Sequence, residues 1–155
     1  TSVSLRRAGA VLGVAVLCGL MARTVVRSLD WGNEERLYLS TVQNTRQSFR
    51  ATNNLGVYYF RRNRLDEAER YFRRSLEILP TYAVAQNNLG VILQQKGDLE
   101  GALRAYQNAV QFDSNYRLAH QNLFALYHAL GKHQEAEHAL ATIGELEDAL
   151  GVRKD

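Results

Sequence analysis

The feature that most limits what this chain can fold into is a sentence written twice. NNLGVYYFRRNRLDEAERYF, from Asn53 to Phe72, returns 34 residues later as NNLGVILQQKGDLEGALRAY, from Asn87 to Tyr106. A third, weaker copy keeps the same frame. Leu55, Leu89 and Leu123 recur, then Tyr59, Leu93 and Tyr127, then Ala68, Ala102 and Ala136. Phe72, Tyr106 and Leu140 follow, and after them Ser75, Ala109 and Ile143. A fixed period of roughly 20–50 residues implies one supersecondary unit per copy, each burying its apolar face only against a neighbour.

Inside each copy the apolar residues fall at helical spacing, on two faces separated by a short polar break. The spacing predicts first helices over about 49–62, 83–96 and 117–130, and second helices over about 65–79, 99–112 and 133–145. Gly97 and Gly131 stand where a left-handed residue ends a helix. Asp66 and Asp98 follow as expected caps for the next helix. Ala68, Ala102 and Ala136 are small where the two helices of a hairpin cross, and Gly56 and Gly90 mark a second close approach.

Period and residue types together resemble the tetratricopeptide repeat (TPR) over about residues 49–148, in copies 49–82, 83–116 and 117–148. The resemblance implies an all-α solenoid of three helix-turn-helix repeats. Two departures mark the third copy as looser or as facing an end: Phe124 replaces the glycine, and Ser114 and Asp148 stand where Pro80 closes the first copy. A brief further helix is expected near Glu145 to Val152, ahead of a tail over 149–155.

The resemblance also implies a concave groove, lined by the first helices, that holds extended polypeptide. Its facing positions are Arg50, Asn53, Asn54, Val57 and Arg61, then Val84, Asn87, Asn88, Val91 and Gln95, then Leu118, Gln121, Asn122, Ala125 and Ala129. Asn54, Asn88 and Asn122 fall one per repeat. A primary amide both donates and accepts, so such a ladder could pair with peptide backbone whatever its sequence. The charge set of chaperone-binding repeats, a clamp for a terminal carboxylate, is not reproduced at Asn53, Val57, Asn87 and Val91.

Upstream, the frame predicts a degenerate half-repeat over 28–48, with a helix from Asp30 to about Val42. Before it, Ala8 to Ala22 carries no charge and is bracketed by Arg6, Arg7, Arg23 and Arg27. A span needs about 20 apolar helical residues, so 1–27 reads as a short membrane segment, with residues 8–26 in the bilayer, or else as a secretory signal. The junction from Arg23 to Tyr38 resembles the point where the last transmembrane helix meets the repeats in TMTC-type (transmembrane and TPR) protein O-mannosyltransferases. That implies the acceptor-binding tail of a larger enzyme, in the endoplasmic reticulum or a bacterial inner membrane. The alternative is a membrane-anchored scaffold docking a partner subunit.

Other chemistries have little to stand on. Eight arginines lie between Arg46 and Arg74, but on amphipathic helical pattern, where a solvated face is the ordinary use; RNA binding rests on that cluster alone. Cys18 is the single cysteine. His120, His128, His133 and His138 lack metal-ligand spacing, and no phosphate loop, dinucleotide glycine pattern or nucleophile elbow occurs. No cofactor, metal or catalytic residue is implied; the expected partner is a protein or extended peptide.

Overall fold

A computed structural model describes residues 34–45, 47–149 and 151. The apolar segment and most of the junction therefore lie outside the described residues. The chain divides into two compact units, Thr1–Ser40 and Thr41–Asp155, and all the repeat helices belong to the second.

Among the described residues the structure is all helical. Residues 34–44 form α1. Six helices follow in three hairpins: α2 (Phe49–Phe60) with α3 (Leu65–Ile78), α4 (Ala83–Gln95) with α5 (Leu99–Phe112), and α6 (Arg117–Ala129) with α7 (His133–Ala149). Each repeat helix packs most heavily on its hairpin partner, and α3 on α4 and α5 on α6 join consecutive hairpins, as a stack of repeats requires. The first helices α2 and α4 also touch one another.

The three hairpin turns share one device. Asn63, Gly97 and Gly131, one period apart, all take positive φ, at 58°, 85° and 70°. Glycine adopts this region freely and asparagine is among the few side chains that tolerate it. That register settles the caps. Asp98 is the N-cap of α5, accepting from the Gly101 N–H at 2.8 Å. Asp66 is not a cap, because the left-handed Asn63 makes Arg64 the cap position and places Asp66 in the first turn of α3. There its carboxylate meets Lys96 Nζ of the next repeat at 2.7 Å.

The core consists of the repeat-frame residues: Leu55, Leu89 and Leu123, Ala68, Ala102 and Ala136, Phe72 and Tyr106, all buried. Phe72 lies over Gly56 so closely that a Cβ there would be 2.6 Å from its ring, and Tyr106 lies over Gly90 with 2.5 Å left. The third hairpin abandons this arrangement. Phe124 occupies the glycine position, and Leu140, at the ring position, is 51% exposed. The final helix is also single. Instead of a second helix ending near 145 and another beginning there, α7 runs unbroken to Ala149. Pro80 cannot continue a helix in the first copy, whereas Asp148 at the same frame position can.

Candidate groove along the first helices

Positions 50, 54 and 57 of α2 and its C-cap, 61, recur at 84, 88, 91 and 95 in α4 and at 118, 122, 125 and 129 in α6. They lie along one helical face, opposite the leucines that pack on the second helices. All twelve are exposed or half-buried. The face of each first helix that turns away from its own partner is thus continuous across three repeats.

The other residues expected in the groove separate into two groups. Gln121 is half-buried, but Asn53 and Asn87 are only 3% and 5% exposed. Their burial has a purpose between repeats. Asn88 Nδ2 donates to Asn53 Oδ1 at 3.0 Å, and Asn122 Nδ2 donates to Asn87 Oδ1 at 2.8 Å. Each bond joins consecutive first helices and spans 35 residues, one more than the repeat. A buried amide oxygen needs a donor, and the next repeat supplies it. The adjacent Asn-Asn pair, repeated in two copies, therefore encodes an acceptor facing forward and a donor facing back. The doubled asparagine was the available signal, but its partners only become visible when helices are stacked.

Asn88 and Asn122 spend one N–H on this clasp, and each amide retains a second N–H and further acceptor capacity. Asn54 is exposed and has no such bond. Val57, Val91 and Ala125 provide an apolar line beside the asparagines.

A second tie crosses the first two repeats at their turn ends. Lys96 Nζ contacts Asp66 at 2.7 Å and Glu69 at 2.8 Å. The hydrogen-bonded Lys96 ammonium lowers both carboxyls from their ordinary values, and Arg73 adds to the effect on Glu69. The two carboxylates in turn raise Lys96 to about 12. The arginine cluster is largely absorbed in the same manner: Arg64 pairs with Glu67, Arg73 with Glu69 and Arg74 with Glu77, while Arg70 lies over the Tyr71 ring. These are the contacts of a solvated, ion-paired outer layer.

His120 and His138 line an open crevice of about 430 Å³ between the second and third repeats. A crevice of about 360 Å³ without histidine recurs at the same frame positions between the first and second, so it follows from the stacking. No group of three or more His, Cys, Asp or Glu side chains that could hold a metal occurs among the described residues. Nor is any helix among them long and apolar enough to cross a membrane.

Residues 50–79 and 83–116 each match a family described as tetratricopeptide repeat. The chain carries tetratricopeptide repeats. Their boundaries coincide with the first two hairpins, and the third hairpin follows them in structure. No curated protein matches the chain. Solved structures do. A crystal structure of MamA is 20% identical with a TM-score of 0.64, the match covering 80% of this chain and 81% of that one. A MamA RS-1 double mutant reaches 0.70 at 20% identity, over 80% and 70% of the two chains. MamA from residue 41 to its end, from Desulfovibrio magneticus RS-1, gives 0.67 at 21%, over 77% and 68%. At such identities the likeness is one of fold. The comparisons lend no support to kinship with TMTC-type mannosyltransferases.

Proposed function

We propose that this chain is a protein-interaction module whose TPR stack holds a segment of another protein, in extended form, along the exposed face of α2, α4 and α6. The observation that carries the reading is the clasp. Asn88 and Asn122 are fixed by an inter-repeat bond yet retain amide capacity on a continuous open face, so a ligand's backbone meets donors and acceptors already oriented. Backbone pairing suits partners of varied sequence, with Val57, Val91 and Ala125 setting side-chain preference. Asn54→Ala is the discriminating variant, since Asn54 belongs to the face but to no clasp. Capture of fluorescent peptides from a mixed-sequence library, read by anisotropy, is expected to weaken in a variant with unchanged stability. Equal capture would remove the asparagine face from the mechanism.

The uncharged run from Ala8 to Ala22, with arginines on both sides, supports a membrane tether for this module. The sequence from Arg23 to Tyr38 supports a place behind the spans of a TMTC-type protein. Alkaline extraction of native membranes and the intact mass of the native product test the two separately. Release by carbonate counts against the tether, and a native mass near 17.5 kDa counts against the larger enzyme.

A further inference from the structure

The open face changes character from one end to the other. In the first repeat it presents Arg50 and Arg61; in the third the corresponding positions are Leu118, 52% exposed, and Ala129. No acidic residue occurs at any of the twelve positions. Ion pairing elsewhere makes this pointed. Several cations of the outer layer and the turns are matched to carboxylates, Arg64 to Glu67, Arg73 to Glu69, Lys96 to Asp66 and Glu69, Arg104 to Glu100 and Arg117 to Glu147. Among the described residues Arg50 and Arg61 have no carboxylate partner. The Arg50 guanidinium lies over the Phe49 ring, 5.5 Å from its centroid.

We infer that the groove selects an extended peptide with acidic residues over the first repeat and an apolar residue over the third. The inference rests on the peptide-binding reading and adds a substrate class and a polarity to it. Neighbouring helix axes lie about 8–10 Å apart, so α2 and α6 are roughly 20 Å apart, the length of about six extended residues. A carboxylate over α2 receives charge-assisted bonds from guanidinium groups that no acid among the described residues pairs with. An aliphatic side chain over α6 covers Leu118 and meets Ala125. A nucleic-acid strand, by contrast, would gain only at the arginine end and would place phosphates against an apolar one.

The test uses the full chain at low salt and a fluorescein-labelled octapeptide with two glutamates at one end and two leucines at the other. Companion peptides carry the order reversed, glutamine for glutamate, or serine for leucine. The glutamate peptide, in one or other direction, is expected to bind about fivefold more tightly than its glutamine version, two exposed ion pairs' worth, and the margin should vanish in molar salt. In Arg50→Gln/Arg61→Gln that margin disappears. In Leu118→Asn the margin survives and the advantage of leucine over serine is lost. Equal binding of glutamate and glutamine peptides by the native chain overturns the inference and leaves peptide capture standing. Failure of every peptide to bind overturns both. Displacement of bound peptide by polyuridylate at comparable concentration overturns the inference in favour of nucleic acid.

Discussion

Asn88 of the second repeat donates to the buried Asn53 of the first, 3.0 Å away, and Asn122 repeats the bond to Asn87 in the next pair. A residue on the proposed reading face is thereby also a stacking residue, and the two roles respond differently to substitution.

Asn88→Ala strands the Asn53 oxygen in an environment only 3% exposed. An unsatisfied buried acceptor costs about 1–3 kcal/mol. Urea unfolding followed by circular dichroism should show that loss for Asn88→Ala. Asn54→Ala, without a clasp, should stay within about 0.5 kcal/mol of the native chain. Equal losses at both positions would deny the clasp its energetic role.

Gly90 and Tyr106 make a second sharp case. A methyl group at 90 would meet the Tyr106 ring at 2.5 Å, so Gly90→Ala overpacks the hairpin. The expected cost is about 1–3 kcal/mol. Adding Tyr106→Leu should recover part of it, because the third hairpin already combines a large residue at 124 with leucine at 140. Thermal melts of the single and double variants decide this, and a double variant weaker than the sum of the two single losses would refute it.

Gly97 isolates backbone strain. It has φ 85° and nothing within 4 Å of a would-be Cβ. Gly97→Ala should therefore cost about 1–2 kcal/mol through the left-handed conformation alone. Gly97→Asn should cost less, since Asn63 holds the same conformation one repeat earlier. Denaturant midpoints for the two variants provide the comparison.

The Lys96 tie gives a pH signature. Asp66 and Glu69 are lowered in the folded chain, so their contribution is present above the ordinary values of 3.8 and 4.5 and fades as pH falls through the lowered ones. Lys96 is raised to about 12, so its contribution is complete below the ordinary 10.5 and fades as pH rises through 12. The stability margin of the native chain over Lys96→Met should form a plateau between those limits and narrow at both ends. With Asp66 87% exposed, molar salt should also shrink it. A margin unchanged down to strongly acidic pH would show that the tie adds nothing to stacking.

Much of this architecture was legible before any coordinates. The 34-residue frame placed all six repeat helices to within a few residues, because apolar periodicity and left-handed turn residues are local properties of the chain. Gly97 and Gly131 announced two of the three turns; Asn63, an asparagine in the same conformation, was masked by the nearby Asp66. The single helix α7 replaces the two expected to meet near 145, because Asp148 stands where Pro80 stops the first copy and does not break a helix.

The sequence by itself determined that this chain is a stack of helical hairpins, since that follows from apolar spacing within about 34 residues, whereas Asn53 and Asn87, expected on the open face, are buried. Only the tertiary structure decided what the asparagines do. Whether an amide at position 88 meets a ligand, water or position 53 depends on how one hairpin seats on the previous one, a register that no local pattern contains. The same seating assigned Asp66 to Lys96 rather than to a helix end, and left Arg50 and Arg61 on the open face without an acid partner among the described residues.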